Sequence, residues 1–274
     1  DLVTGVQTCA LPIFCDGVNE PFLFQMTGTG GLETRTFFAK EITVSGTHYP
    51  KFCVIHDKHL VVAGAATALN TIFYSGTSDI DDFTSTGSGS IVLDDQVVGL
   101  KSFRDELFIF CKNSIYKLQN INNSSTIAIV PVTKNVGCVD GKTIQEFAGD
   151  LIFLAPDGFR TIAGTARIGD VELGTISKSI QPLINEILTS SITYEFSSVV
   201  LRDKSQYRMY YSGAAESTGN SKGITGTLTP RGFEWTEVKG IQAPAVTSGF
   251  NSDGREKVYH GDRAGYVYNH DTGS

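Results

Sequence analysis

No run of about 18 apolar residues occurs anywhere in the chain, and its longest apolar stretches are strand-sized, so no membrane-spanning helix is encoded. Basic residues are also scarce: 22 Lys and Arg stand against 29 Asp and Glu, a formal charge of −7. A surface that grips DNA carries clustered Lys and Arg, so this balance excludes tight wrapping of nucleic acid and leaves only weak contact. Cysteine is sparse and unpatterned. Cys9, Cys15, Cys53, Cys111 and Cys138 contain no C-x-x-C pair and match no zinc ribbon or finger. They read as buried free thiols, and their odd number fits synthesis in a reducing compartment. What the chain does have is apolar content: 41% apolar and 19% charged over 274 residues, enough to bury a large core.

The first residues stand apart. "VTGVQTCALPI", Val3 to Ile13, resembles the conceptual translation of a sequencing-adapter oligonucleotide. It lacks the basic n-region and continuous apolar h-region of a signal peptide. Residues 1–13 are therefore expected to be an artefact of translation, and the natural sequence to begin within a gene whose start lies upstream.

From there on, apolar strands follow polar turns that carry aspartate: "IHDKHLVVAG" at 55–64, "FRDELFIFCK" at 103–112 and "FAGDLIFLAP" at 147–156, with weaker copies "LRDKSQYRMYYS" at 201–212 and "NSDGREKVYHG" at 251–261. The markers Asp57, Asp105, Asp150, Asp203 and Asp253 recur 48, 45, 53 and 50 residues apart. A period of that length belongs to a repeat architecture. Between the second and third markers, Glu106 to Cys111, Ser114 to Gln119, Thr126 to Val132 and Thr143 to Phe147 are rich in β-branched and aromatic residues and are separated by Asn, Gly or Asp. Four strands with their loops fill roughly 40 to 45 residues, the length of one repeat.

The economical reading is an all-β chain, a partial β-propeller of about four complete four-stranded blades plus incomplete terminal ones. Each marked turn is then the tight hairpin in the inner part of a blade. The first full blade takes Lys51 to Ile55, His59 to Ala63, Thr71 to Ser75 and Ser90 to Leu93; the fourth takes Glu195 to Leu201, Ser205 to Tyr211, Gly223 to Leu228 and Phe233 to Val238. Residues 14–50, with Pro21 to Met26 and Thr34 to Val44, read as outer strands of an earlier blade. Residues 51–274 carry the blades, and the final "AGYVYNHDTGS" stops after the third strand of a later one.

One segment breaks the pattern. In "GTISKSIQPLINEILTS", Ile180, Leu183, Ile184, Ile187 and Leu188 recur at helical spacing, with Ser177 or Ser179 as N-cap and Pro182 in the first turn. This predicts a short amphipathic helix inserted between blades, packed on the propeller itself or, as the alternative, docking a neighbouring subunit.

Chemistry is thin. "VGCVDGKT" ends in Gly141, Lys142 and Thr143 like a phosphate-binding loop, but the required earlier glycine falls on Val136, with Gly137 one residue off, and strand rather than helix follows. It reads as a surface hairpin turn. Asp79, Asp81 and Asp82 gather in a polar loop, yet Phe83 and Ser90 stand where an EF-hand needs oxygen ligands, so a solvated loop is expected. His56 and His59 flank a turn with no third ligand nearby and read as exposed. "TGTGG" at 27–31 reads as a flexible loop. A sialidase-type S-x-D-x-G-x-x-W box is approached only by Ser252, Asp253 and Gly254 in the wrong spacing, and the single Trp235 lies elsewhere. No catalytic, cofactor-binding or metal residue is assigned.

"HDKHLVVAGAATALNTIFYSGTSDIDDF", "LKSFRDELFIFCKNSIYKL" and "VGCVDGKTIQEFAGDLIFLAPDGFRTIAGTARIGDVELGTISKSIQPLI" resemble the tail nozzle, or tail tubular protein B, family of short-tailed bacteriophages. The "LAPDG" turn followed by "IGDVELGTISKSIQ" is the most specific part, and the likeness covers roughly residues 15–274. The resemblance implies a non-enzymatic β-propeller of the virion tail, made in the bacterial host cytoplasm. It implies a homo-oligomeric, hexameric ring below the portal and tail adaptor, through which DNA passes transiently, with no cofactor. The chain departs from the family in lacking its further platform regions.

Two other readings stand beside it. A receptor- or glycan-binding propeller of the virion would gather Trp235, Tyr210, Tyr211, Tyr266 and Tyr268 on one exposed face, although aromatics alternating along strands are more often core. A propeller glycoside hydrolase would converge arginines and a carboxylate pair in its channel.

Overall fold

The computed structural model describes residues 13–27, 36–46, 48–163, 175–213 and 221–271. The chain forms two compact units: residues 1–112 with 116–131, and residues 113–115 with 132–274.

The first unit begins with β1 (Ile13–Phe14), β2 (Phe22–Thr27) and β3 (Thr36–Glu41) in one sheet. It continues with β4 (Phe52–His56), β5 (His59–Ala65), β6 (Ala68–Tyr74) and β7 (Gly89–Val92) in a second sheet, then β8 (Val97–Phe103), β9 (Glu106–Cys111), β10 (Ile115–Gln119) and β11 (Ala128–Thr133) in a third. A few residues of β10 and β11 group with the second unit. That unit holds β12 (Gln145–Phe147), β13 (Asp150–Ala155) and β14 (Gly158–Thr161); β15 (Tyr194–Leu201), β16 (Gln206–Gly213), β17 (Lys222–Thr229) and β18 (Gly232–Lys239); and β19 (Ala245–Phe250), β20 (Glu256–Gly261) and β21 (Val267–Asn269).

Within every sheet the strands lie in chain order, each paired antiparallel with the next along the chain. Consecutive sheets meet through their first strands: β4 touches β8 in the first unit, and β15 touches both β12 and β19 in the second. Up-and-down sheets meeting along their first strands are propeller blades, and the chain has an all-β, propeller-type fold.

The marked hairpins join first to second strands. His56 pairs with His59, Phe103 with Glu106 and Phe147 with Asp150, leaving two-residue turns. Every turn residue has positive φ: Asp57 45°, Lys58 68°, Arg104 51°, Asp105 60°, Ala148 51° and Gly149 76°. Such turns match the right-handed twist of the strands they join. The aspartate itself drifts, sitting first in the turn at Asp57, second at Asp105 and one residue past it at Asp150. In the last two copies the loop is longer, with Leu201 paired to Gln206 and Phe250 to Glu256.

Because each turn falls after a first strand, the blade frame differs from the marker frame. Thr143 to Phe147, expected to close the second repeat, instead opens the next sheet as β12. It is shortened because Gly141–Thr143 forms a 3-10 turn capped by Asp140, whose side chain accepts from the Lys142 amide at 2.7 Å. The strand missing from the sequence reading is β8, whose "VVGLKSF" carries Gly99, Lys101 and Ser102 and so does not alternate cleanly. Among the described residues, three sheets have four strands and three have three. Ile13, set apart on sequence grounds, pairs with Leu23 in the first sheet.

The cores lie between sheets. In the first unit Leu23, Ile42, Leu60, Val62 and Phe73 form one cluster, and Val61, Ile72, Leu107, Ile109 and Leu118 another. Alternation along β5 sends Leu60 and Val62 to one neighbour and Val61 and Ala63 to the other, so the strand is buried on both faces. In the second unit Ile152, Leu154, Phe159, Ile184, Tyr207, Met209 and Tyr211 form the largest cluster. Each such side chain taken out of water contributes about 1.5 to 3 kcal/mol.

The inserted helix is present as α1 (Gln181–Thr189), entered through a 3-10 turn over Lys178–Ile180. Its Ile184 and Ile187 are buried, and Leu183 and Leu188 pack against the same cluster, so the apolar stripe seats on its own unit. The expected serine cap does not form: Ile180 holds the N-cap position without a side-chain bond. Most of the "TGTGG" segment and all of "IGDVELG" lie outside the described residues.

Candidate functional site

The described parts of the stretch carrying the most specific resemblance, residues 154–158 and 175–181, interlock. Ala155 pairs with Gly158 across a two-residue Pro156–Asp157 turn. Gly158 sits at φ 134°, and a Cβ there would come within 2.5 Å of the Ser177 hydroxyl and 2.7 Å of the Thr175 methyl, so only glycine fits. The Asp157 carboxylate receives the Arg160 guanidinium twice, at 2.9 and 2.5 Å, and the Thr175 hydroxyl at 3.3 Å. Its carbonyl accepts from Gln181 Nε2 at 3.0 Å, tying the turn to the start of α1. Ser177, freed from capping, accepts the Phe159 amide at 2.9 Å, and the Ile176 amide donates back to the Phe159 carbonyl at 2.8 Å. Trp235 closes the assembly from β18: its ring stacks on Phe159 at 4.7 Å, and its Nε1 donates to the Ile176 carbonyl at 2.9 Å.

The same sheet carries a second feature on its opposite face. Tyr207, Met209 and Tyr211 of β16 point into the core, while Gln206, Arg208 and Tyr210 alternate to the other side. There Arg208 stands opposite Thr225 and Thr225 opposite Thr236, a row of polar groups across three strands. This face lines a cleft of about 570 Å³ whose other wall is His260, Tyr268 and His270 from the β20–β21 hairpin and its continuation. The His260 and His270 rings hydrogen-bond through Nδ1 and Nε2 at 2.6 Å, and Tyr210 Oη lies 3.3 Å from His270 Nδ1. Arg208 Nη2 reaches Asp271 at 3.0 Å, and Lys204 reaches the same oxygen at 2.8 Å.

Electrostatics follow from this packing. Burial lowers the His270 pKa to about 4, helped by the neighbouring His260 and Arg208, and burial also lowers His260. Burial pushes the Asp271 carboxyl up, but hydrogen bonds from Lys204 and Arg208 outweigh it and hold the group below the usual range. Burial raises the Tyr210 phenol. Within the lining the Arg208 charge is matched by Asp271, to which it is bonded, and Tyr268 gives its hydroxyl to Asp262 at 3.2 Å.

The residues flagged in the sequence scatter elsewhere. His56 and His59 are not exposed but buried at 7% and 0%; His59 opens β5, which is covered on both faces, and His56 pairs with it across the turn. Both ring nitrogens of His59 are engaged, Nδ1 with the Ser75 carbonyl at 2.5 Å and Nε2 with Asn122 at 3.0 Å; His56 Nδ1 meets Ser102 at 2.9 Å. Gly141, Lys142 and Thr143 form a 3-10 turn rather than a hairpin turn, with Thr143 buried and its hydroxyl given to the Asp140 carbonyl at 2.6 Å. Asp81 pairs with Lys40, Asp82 accepts the Thr84 amide and hydroxyl, both at 2.7 Å, and Phe83 between the loop and core is buried. Ser252, Asp253 and Gly254 belong to the β19–β20 loop, where Asn251 accepts the Asp253 amide at 3.1 Å. Among the described residues no group of three His, Cys, Asp or Glu is placed to hold a metal.

Cys111 and Cys138 are buried thiols, whereas Cys15 and Cys53 are half-buried and neighbouring; the hydrogen bond they share raises Cys15 and lowers Cys53. Cys9 lies outside the described residues. Of the aromatics, Trp235 and Tyr211 join the core cluster, Tyr210 is buried on the cleft side, and Tyr266 and Tyr268 are exposed. Sequence reasoning passed over Arg208, His260 and His270, which stand far apart in the chain; only the odd polar members of β16 hinted at them.

No protein-family profile and no curated protein matches the chain. Among solved structures it is similar to the extracellular domain of a hybrid two-component system from B. thetaiotaomicron, with TM-score 0.50 and 13% identity, over 97% of this chain and 33% of that one. It is also similar to a protein described as a 6-phosphogluconolactonase from Bacteroides uniformis, with TM-score 0.46 and 10% identity, over 94% of this chain and 80% of that one. The chain thus spans about a third of the first relative's length, and the first likeness concerns the fold alone.

Proposed function

We propose that the chain is a structural component of a bacteriophage tail, part of the nozzle or tail-tube ring that forms the DNA ejection conduit. The observation that carries this reading is the interlocked Asp157, Arg160, Ser177, Gln181 and Trp235 assembly. Asp157, Ser177 and Gln181, which belong to the stretch most like tail nozzle proteins, are spent together with Arg160 and Trp235 on holding a hairpin, a helix and a sheet together, which is the work of a scaffold.

Two physical features support it. A conduit must let DNA slide, and a formal charge of −7 disfavours the counterion release that would hold phosphates. Blade-type sheets leave only short strand edges, which suits a wall under load. No residue is given a catalytic role. In this reading the chain works as a homo-oligomeric ring, hexameric as in the tail nozzle family, bound to the adaptor and portal in the virion.

The test is co-expression of the full-length gene product with the portal and adaptor encoded beside it, followed by electron microscopy of the purified complex. A ring attached below the adaptor is expected. A gene neighbourhood without portal or adaptor, or a product that never associates with them, overturns the proposal.

A further inference from the structure

A sheet face that is lined by Arg, Tyr, Gln and Thr and then covered is costly unless those groups find partners. The face of β16–β18 that lines the cleft is of this kind: Arg208 is 8% and Tyr210 2% exposed, while the reverse face of the same strands is apolar core. Arg208 is steadied by Gln206 Oε1 at 3.1 and 2.8 Å as well as by Asp271, so the groups are held in place around the open volume.

The lining selects among ligands. An anion would require cations in excess, but the cation of the lining, Arg208, is already paired with Asp271. A metal ion would require free ring nitrogens, but His260 and His270 bond to each other, and no third ligand joins them among the described residues. A purely apolar molecule would strip water from the Thr225 and Thr236 hydroxyls. A neutral polyhydroxylated molecule meets none of these obstacles.

An aromatic platform completes the fit. Tyr268 stacks on His260 at 4.9 Å and 16°, which fixes its ring, and it remains 46% exposed on the cleft wall with Tyr266 beside it. The C–H face of a sugar ring packs on such a surface while its hydroxyls reach polar groups. We infer that the cleft between the β15–β18 and β19–β21 sheets is a binding site for a neutral carbohydrate, with Tyr268 as the stacking surface and Arg208, Thr225 and Thr236 as hydroxyl partners. This goes beyond the conduit role and does not depend on it.

The test is to probe the labelled chain on an array of neutral, sialylated and phosphorylated oligosaccharides, then to titrate in solution the neutral oligosaccharide bound most strongly. Binding confined to neutral glycans is expected, weakened about tenfold by Tyr268→Ala, retained by Tyr268→Phe and weakened again by Thr225→Val. Tyr268 is at the surface and Thr225→Val keeps the side-chain shape, so each variant should melt like the parent and the comparison stays readable. Preference for charged glycans, absence of binding to any neutral one, or parental affinity in Tyr268→Ala and Thr225→Val overturns the assignment.

Discussion

Arg160 and Asp157 form a two-pronged ion pair across the β13–β14 turn, with Nε to Oδ1 at 2.9 Å and Nη2 to Oδ2 at 2.5 Å. The two partners differ sharply in burial, the arginine side chain being 2% and the aspartate 36% exposed. Removing the carboxylate strips that pair from a buried cation, whereas removing the guanidinium leaves an anion that water can reach. Asp157→Ala should therefore cost about 3 kcal/mol and Arg160→Met distinctly less. Urea unfolding followed by the fluorescence of Trp235, which stacks on Phe159 beside the turn, measures both; equal losses would contradict the asymmetry.

Tyr207 is fully buried and its hydroxyl donates to the Thr143 carbonyl at 2.8 Å, joining the 3-10 turn to β16. Tyr207→Phe should lower stability by about 1 kcal/mol, because the carbonyl loses its donor without a change of shape. Burial also raises the phenol well above its ordinary range. Its ultraviolet ionisation should appear only as the chain unfolds in alkali, and Tyr207→Phe should remove amplitude from that late step alone.

The cleft histidines should make the second unit acid-sensitive. His270 faces His260, Arg208, Tyr210 and Asp271, and its pKa falls from 6.5 to about 4 on folding. Between those values the unfolded chain binds the proton and the folded chain does not, so stability is lost as pH falls from 6.5 towards 4 and levels off below. Depressed carboxylates such as Asp271 also lose stability in acid, but at lower pH. His270→Gln should flatten the upper part of the profile only. Thermal melts at half-unit pH steps decide this; a parallel slope in the variant would place the sensitivity elsewhere.

The terminal sheets leave apolar faces open. On the first, Phe14, Phe22 and Phe24 cluster with ring centroids 5.0 to 6.3 Å apart, and Phe14 and Phe24 are 44% and 41% exposed, while Leu23 on the other face is buried. On the last, Val267 is 74% and Tyr259 36% exposed. Such faces associate, and the chain expressed alone should show concentration-dependent self-association. Phe24→Lys together with Val267→Lys should reduce it, as read by light scattering on a size-exclusion column. A monomer at all concentrations in the parent chain would count against this.

The Asp-marked hairpins were legible because a two-residue turn with two positive φ values is a local event that Asp, Asn and Gly disclose, and the strands beside them announce themselves by β-branched and aromatic content. The helix was legible for the same reason: Ile184 and Ile187 fall on one stripe whatever surrounds them. The Ser177 cap was misjudged because a serine before a helix has two uses, and the nearby Phe159 amide took it. The burial of His56 and His59 was hidden because the sequence cannot say whether a strand is covered on one face or two.

By itself, the sequence determined the repeat, most of its strands and the tight turns between them, since these follow from backbone preferences over a few residues. Tertiary structure alone decided which strand opens each blade, which face of β16 became core and which became cleft, and that Arg208, His260 and His270 share one site. The reason is that stacked sheets bury both faces of a strand. Alternation then no longer distinguishes inside from outside, and groups some 60 residues apart are joined only when two sheets meet.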